Sequence, residues 1–156
     1  MSDKIEWKPL IVSVAISLGA GVLGSFLAPD IGMMYATMQK APLAPPAWVF
    51  PVVWTILYVL MGIAAYRIWL TPEGEGRREA LFYYVLQLIV NILWPFLFFR
   101  LGLYMVAFFW LLLLWYLVFV TWQKFKLLDR RAGLLLVPYL IWLTFAAYLN
   151  LAVAIG

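Results

Sequence analysis

The sequence contains no cysteine and no histidine among its 156 residues. Without cysteine there is neither a disulfide framework nor a thiol nucleophile, and without both residue types there is no Cys/His metal site. A haem could not take its usual His or Cys axial ligand from this chain. The sequence therefore excludes these chemistries, and we expect no metal site and no required cofactor.

Charge is also scarce, since 12% of the residues are charged and 67% are hydrophobic. The mean hydropathy is +1.00, and a soluble domain of this length has too little interior to hide so much apolar surface. The charges leave five long uncharged runs, each close to the length that a helix needs to cross a hydrocarbon core of about 30 Å. Lipid offers the backbone no hydrogen bonds, so each run should be a helix. We predict an all-α membrane protein with a single domain over 1–156, a bundle whose five spans lie at about 10–28, 46–69, 80–99, 102–123 and 132–155.

The basic residues are distributed unequally between the two ends of the predicted bundle. Five spans put two residues, Lys40 and Arg100, on one side, and the other nine of the 11 on the opposite side: Lys4, Lys8, Arg67, Arg77, Arg78, Lys124, Lys126, Arg130 and Arg131. Basic loops favour the cytoplasm, so we expect a cytoplasmic N-terminus and an outer C-terminus. These residues lie in short loops beside the membrane, which argues against a nucleic-acid partner.

The predicted spans hold no Asp, Glu or Lys, and the one Arg within them, Arg67, lies at a helix end. Proton pumps and ion-coupled transporters normally place ionisable groups within the membrane. The sequence therefore argues against both classes, although a facilitator without energy coupling stays open.

The stretch "APLAPPAWVFPVVWTILYVLMGIAAY", residues 41–66, concentrates proline and aromatic residues at one end of span 2. Proline suits the first helical turn, so Pro45 and Pro46 should start the helix. Pro51 would then fall in or just after the second turn and bend it. Trp54 and Tyr58 are four residues apart and share a face. We predict a ring-lined surface at the outer end of this helix; the alternative is an aromatic belt at the lipid headgroups.

The first loop, about 29–46, is long and contains large apolar residues: Met33, Met34, Tyr35, Met38 and Leu43. An exposed linker would avoid them. We therefore expect this loop to fold over the outer end of the bundle, or alternatively to lie in the membrane interface as a short amphipathic helix.

Spans 3 and 5 carry features that match span 2, because each has a proline near a tryptophan. In span 3, Gln87, Asn91 and Trp94 share one face, and amides in a membrane either hydrogen-bond between helices or face a polar cavity. In span 5, Trp142, Ala146 and Leu149 form one stripe. Span 1 offers small residues at four-residue spacing, which permit close contact within the bundle or between subunits: Ser17, Gly21 and Ser25.

Three stretches together carry a resemblance to a known family. "KAPLAPPAWVFPVVWTILYVLMGIAAY", "QLIVNILWPFLFF" and "LLLVPYLIWLTFAAYLN" resemble, in order and spacing, the signature of the translocator protein family, also called tryptophan-rich sensory proteins or peripheral benzodiazepine receptors. The likeness covers about residues 30–155. It implies a five-helix bundle, commonly a homodimer and here of a bacterial cell membrane, with a pocket between the helices that the first loop closes. Family members bind porphyrins, haem and sterol-like or drug-like hydrophobes.

The resemblance also implies eight ligand-binding residues, which are Tyr35, Trp54, Tyr58, Asn91, Trp94, Trp142, Ala146 and Leu149. Their positions along the chain lead us to add four more to the predicted ligand-binding set: Lys40, Pro45, Phe50 and Gln87. Two departures from the family pattern stand out. Leu43 occupies the place of the loop tryptophan, so we expect the lid to pack differently from that of the family. No basic residue follows the tyrosine near the end of helix 5, so the sterol motif of the family is incomplete here.

The sequence thus favours a membrane protein that binds, senses or transports porphyrins such as protoporphyrin IX or haem, or similar flat hydrophobic molecules. Some bacterial family members have been linked to light-dependent breakdown of protoporphyrin, so an enzyme that uses Trp54 and Trp142 as redox partners is one alternative. An uncoupled facilitator of small hydrophobic molecules is the other.

Overall fold

The computed structural model describes residues 5–27 and 44–156. It contains five long helices: α1 (Trp7–Leu27), α2 (Val49–Trp69), α3 (Glu75–Pro95), α4 (Tyr104–Leu128) and α5 (Arg130–Ile155). A π-helical turn, Phe96–Arg100, continues α3. Each of the five is long and apolar enough to cross a membrane, and the described residues contain no strand. The prediction of an all-α bundle of five spans is confirmed. Of the predicted lid over the pocket, about 29–46, residues 29–43 lie outside the described part.

The helices form a closed ring in the order α1, α2, α5, α4, α3 and back to α1. The most extensive contacts run between α4 and α5, α1 and α2, α3 and α4, α2 and α5, and α1 and α3. The core lies inside this ring, where large side chains such as Met61, Leu111 and Leu143 are fully buried. The ring therefore turns α2, α3 and α5 towards a shared interior.

Small residues bring α1 and α2 into close contact. The Ser13 hydroxyl donates a hydrogen bond to the carbonyl oxygen of Gly62 at 2.7 Å, and the Ser17 hydroxyl donates to that of Tyr58 at 2.6 Å. A Cβ atom added at Gly62 would lie 2.6 Å from the Cα atom of Val14, and one at Gly21 would lie 2.6 Å from the Tyr58 ring. The small residues of α1 were expected to permit close contact either within the bundle or between subunits. In the described chain they make contact within the bundle.

The start of α2 differs from the expectation drawn from its prolines. The helix begins at Val49, after Pro45 and Pro46, so Pro51 lies in its first turn rather than its second. The first four N–H groups of a helix have no partner within it. Pro51 therefore removes no helical hydrogen bond, and the bend expected from a freed carbonyl has no cause.

One end of the bundle collects the N-terminus of α1 and the α2–α3 and α4–α5 turns, and we call it the basic end. Arg67 Nε lies 2.8 Å from an Asp129 carboxylate oxygen, which joins the end of α2 to the start of α5. The other Asp129 oxygen accepts a hydrogen bond from the backbone N–H of Arg131 at 3.0 Å and caps α5. Lys124 Nζ lies 3.1 Å from Glu79, which joins α4 to α3. Ion pairs thus join α2 to α5 and α3 to α4 at this end.

Candidate functional site

Five rings from α2 and α5 meet inside the bundle, and we call them the aromatic cluster: Phe50, Trp54, Tyr58, Tyr139 and Trp142. Trp54 is at the centre, with ring centroids 5.7 Å from Tyr58, 6.2 Å from Tyr139 and 6.4 Å from Trp142. The Trp54 and Trp142 planes are almost perpendicular, at 88°. Phe50 meets Trp142 edge to face at 5.7 Å. Helical spacing explains the convergence, because Phe50, Trp54 and Tyr58 recur every four residues along one face of α2.

A buried chain of hydrogen bonds, which we call the polar chain, runs directly behind these rings. The Tyr58 hydroxyl donates to Asn91 Oδ1 at 2.9 Å, and Asn91 Nδ2 donates to the Tyr139 hydroxyl. The Tyr139 hydroxyl in turn donates to Gln87 Oε1 at 2.8 Å, and Gln87 Nε2 lies 3.8 Å from the sulfur of Met61. The polar chain connects α2, α3 and α5, so Gln87 and Asn91 make the interhelical hydrogen bonds that were one of the two uses considered for them.

The indole N–H of Trp142 stands apart from this network. Its Nε1 atom is buried and has no hydrogen-bond partner in the described ranges 5–27 and 44–156. Three other tryptophans are paired: Trp94 with Asn150 at 3.0 Å, Trp110 with the Val90 carbonyl at 2.7 Å and Trp115 with Thr144 at 3.0 Å. Buried polar groups are almost always paired, and an unpaired one costs about 1–3 kcal/mol. The aromatic cluster therefore contains one buried hydrogen-bond donor that the described protein leaves unused.

Trp94 was predicted to line the same pocket but packs into a second group of rings. It stacks on Phe98 at 5.1 Å and meets Phe99 edge to face at 5.9 Å. Its N–H donates to Asn150, whose Nδ2 atom donates to the carbonyl of Tyr104 at 2.9 Å. This group joins the end of α3 to α4 and α5. No ring contact between Trp94 and the aromatic cluster occurs among the described residues.

The remaining predicted site residues fall into three places. Ala146 is buried on α5, one turn beyond Trp142, and Leu149 is half-buried on the same stripe. Pro45 is half-buried just before α2. Tyr35 and Lys40 lie outside the described residues, so their assignment to the pocket stays a prediction.

Tyr139 is the main residue that the sequence interpretation missed. Its side chain is 1% exposed, its ring meets Trp54, and its hydroxyl occupies the centre of the polar chain. The signal was present, because Tyr139 lies three residues before Trp142 and so shares its face of α5.

Comparison with known proteins agrees with this arrangement. The model of the TspO/MBR family matches residues 13–155. A tryptophan-rich sensory protein of Cereibacter sphaeroides is 38% identical over 94% of this chain and 89% of its own length. The protein CrtK of Rhodobacter capsulatus is 40% identical over 86% of this chain and 83% of its own. The human translocator protein is 34% identical over 94% of this chain and 89% of its own. With five apolar helices and this extent of similarity, the chain is an integral multi-pass membrane protein that belongs to the TspO/MBR family.

Proposed function

We propose that this protein binds porphyrins, such as protoporphyrin IX or haem, and similar flat hydrophobic molecules at the aromatic cluster, and that it senses or transports them. The observation that carries the proposal is the convergence of Trp54 and Trp142, edge to face at 6.4 Å, with the Phe50, Tyr58 and Tyr139 rings around them. Rings at different angles offer both faces and edges to a flat ligand. Each aromatic contact adds about 0.5–1.5 kcal/mol beyond the area that it buries.

The hydrogen-bonding pattern restricts what such a ligand can use. Asn91 and Gln87 are 2% and 1% exposed and are already engaged in the polar chain. Because both side chains are almost fully buried, a ligand could reach their remaining N–H groups only if the surrounding side chains moved. A hydrogen bond to the unpaired N–H of Trp142 would replace no existing hydrogen bond. A ligand that brings an acceptor to this N–H therefore gains affinity.

The names of two relatives favour binding over catalysis. One relative is called a sensory protein and another a translocator protein. Both names describe proteins that recognise or move a molecule. We carry that role over to this chain, with the membrane lipid, a hydrophobic ligand and a second copy of the chain in a homodimer as its partners.

The placement in the membrane follows from charge. Basic residues gather at one end of the bundle, and basic loops favour the cytoplasmic side. We propose that the basic end faces the cytoplasm of a bacterial cell and that the C-terminus lies outside.

A titration with metal-free protoporphyrin in the dark tests the binding function. The Trp54→Ala and Trp142→Ala proteins should bind at least several-fold more weakly than the wild type, with unchanged helix content by circular dichroism. Trp7→Ala is the matched control, because Trp7 lies on α1 and is 64% exposed. Equal losses in all three variants, or none in the first two, would reject this site.

One observation favours a second candidate, the light-dependent breakdown of porphyrin. Trp54 contacts three other oxidisable rings, those of Trp142, Tyr58 and Tyr139. Illumination of the bound porphyrin separates the functions, since an enzyme yields a protein-dependent product and a binding protein yields only spectral shifts. Flux of the ligand into liposomes that contain the protein tests the uncoupled facilitator.

A further inference from the structure

The positive charge of the basic end is concentrated in one of its two turns. The α2–α3 segment, 67–79, has a net charge of zero, because it contains three arginines (Arg67, Arg77, Arg78) and three glutamates (Glu73, Glu75, Glu79). The α4–α5 segment, 124–131, has a net charge of +3, because it contains four basic residues (Lys124, Lys126, Arg130, Arg131) and one acidic residue, Asp129. The general preference for basic loops on one side does not explain this difference, because both turns lie at the same end.

Ion pairs within the bundle determine which charges of the α4–α5 segment are left without a partner of opposite charge. Asp129 is engaged by Arg67 at 2.8 Å, and Lys124 is engaged by Glu79 at 3.1 Å. Within 5–27 and 44–156, the ammonium of Lys126 and the guanidinium groups of Arg130 and Arg131 have no carboxylate partner. Three exposed cations therefore lie within six consecutive residues of the chain.

Tight packing fixes the geometry of this turn. A Cβ atom at Gly133 would lie 2.5 Å from the Cβ of Lys126 and 2.9 Å from its Cα, so α4 and α5 touch at backbone distance. Lys126 Nζ lies 4.0 Å from the centre of the Trp122 ring. Leu127, beside Lys126, is 82% exposed. We call Trp122, Lys126, Leu127, Arg130 and Arg131 the basic turn.

The basic turn combines the groups that suit the boundary between phospholipid headgroups and acyl chains. Arginine binds phosphate through two parallel N–H donors, and lysine binds it as a point charge. A tryptophan ring prefers the headgroup level, and an exposed leucine gains by contact with acyl chains. A soluble acidic partner would satisfy the cations but not Leu127. Charge complementarity and the apolar neighbour together favour a lipid.

We propose that the basic turn is a binding site for the phosphate of an anionic phospholipid of the phosphatidylglycerol type. Basic pockets beside membrane helices are known to recognise such headgroups. The site is at the opposite end of the described helices from Phe50, and it does not depend on the porphyrin-binding function. Each cation near a charged membrane surface contributes about fivefold in affinity.

Native mass spectrometry of the full chain, with phosphatidylglycerol and phosphatidylcholine added in turn, tests this site. The wild type should bind phosphatidylglycerol more tightly than phosphatidylcholine, and a Lys126→Gln/Arg130→Gln double variant should lose about ten- to thirtyfold in affinity for the anionic lipid. A Lys8→Gln/Arg78→Gln double variant is the matched control. It removes the same charge from two exposed residues at the same end, and its affinity should change less than threefold.

Three results would overturn the proposal. Equal losses in the two double variants would show that net charge, rather than a site, attracts the lipid. An absence of preference for phosphatidylglycerol in the wild type would show that no site exists. Displacement of the lipid by millimolar inorganic phosphate would show that the turn takes any phosphate. Thermal unfolding in neutral detergent checks that both double variants are folded. If the Lys126→Gln/Arg130→Gln protein is unfolded, a single Arg131→Gln variant replaces it, with an expected loss of about fivefold in affinity.

Discussion

Three buried tyrosines allow the energetic role of the polar chain to be measured by the same chemical change at each position. Tyr58, Tyr84 and Tyr139 lie on α2, α3 and α5 and are 7%, 4% and 1% exposed. The Tyr139 hydroxyl makes two hydrogen bonds, to Asn91 and Gln87. The Tyr58 hydroxyl makes one, to Asn91. The Tyr84 hydroxyl makes none with the described residues. Replacement by phenylalanine removes only the hydroxyl in each case.

The expected losses of stability follow from the number of bonds removed. Side-chain hydrogen bonds between membrane helices contribute about 0.6 kcal/mol on average and up to about 1.7, because the unfolded chain in a bilayer also finds partners. Tyr139→Phe should therefore cost about 1–3 kcal/mol, since it also leaves two buried groups without one partner each. Tyr58→Phe should cost about 0.5–1.5 kcal/mol, and Tyr84→Phe should be neutral or slightly stabilising.

Reversible unfolding in mixed micelles, followed by helix content and by tryptophan fluorescence, measures these differences directly. The reasoning predicts the order Tyr139, Tyr58, Tyr84 from the largest to the smallest loss. A loss at Tyr84 as large as that at Tyr139 would refute it, because the hydroxyls would then matter for a reason other than the polar chain. A Gln87→Leu/Tyr139→Phe double variant tests the coupling, as it should cost less than the sum of its two single changes.

Four further predictions follow from other parts of the structure. Gly62→Ala should destabilise the protein by about 1–3 kcal/mol, because its Cβ would lie 2.6 Å from the Cα of Val14 and overpack the α1–α2 contact; Gly19→Ala, with nothing within 4 Å, should not, and thermal unfolding distinguishes them. Asp129→Asn should lose the ion pair with Arg67 but keep the cap, whereas Asp129→Ala should lose both and about 0.5–2 kcal/mol more; equal unfolding free energies would contradict the capping role. Trp142→Phe should weaken binding of a porphyrin dimethyl ester more than that of an alkyl porphyrin without carbonyl groups, by about two- to tenfold in the ratio, and an unchanged ratio would show that the N–H is not used. A reporter fused to the C-terminus should lie outside the cell and one inserted within 71–79 inside, and a cytoplasmic C-terminal reporter would contradict the proposed orientation.

The sequence predicted the fold well because the membrane imposes simple constraints. Uncharged runs of spanning length can satisfy their backbone groups only as helices, and the structure has five of them. The helices extend further than the uncharged runs at the basic end, where α1 includes Lys8 and α4 continues through Lys124 and Lys126. Long basic side chains reach the headgroups from the last helical turns, so a charge there does not end a helix.

Which side chains meet inside the bundle was harder to predict. Periodicity placed Gln87, Asn91 and Trp94 on one face of α3, yet Trp94 contacts Phe98 and Asn150 while the two amides reach Tyr139 and Tyr58. A face of a helix more than two turns long meets different neighbours at its two ends, and that depends on how the helices cross. Spacing along one helix carries no information about the crossing, so the partners of each residue could not be read from the sequence.

The ring order of the helices has a consequence for synthesis. The ribosome synthesises α1 to α4 before α5, yet α5 lies between α2 and α4 in the ring and supplies Tyr139 and Trp142. Until α5 has been inserted, Asn91 and Gln87 lack the Tyr139 hydroxyl, and Trp54 lacks its edge contacts with Tyr139 and Trp142. A nascent chain that stalls after α4 therefore leaves Asn91 Nδ2 and Gln87 Oε1 without the hydroxyl that pairs them in the finished protein. Insertion of α5 therefore completes both the core and the site in a single step.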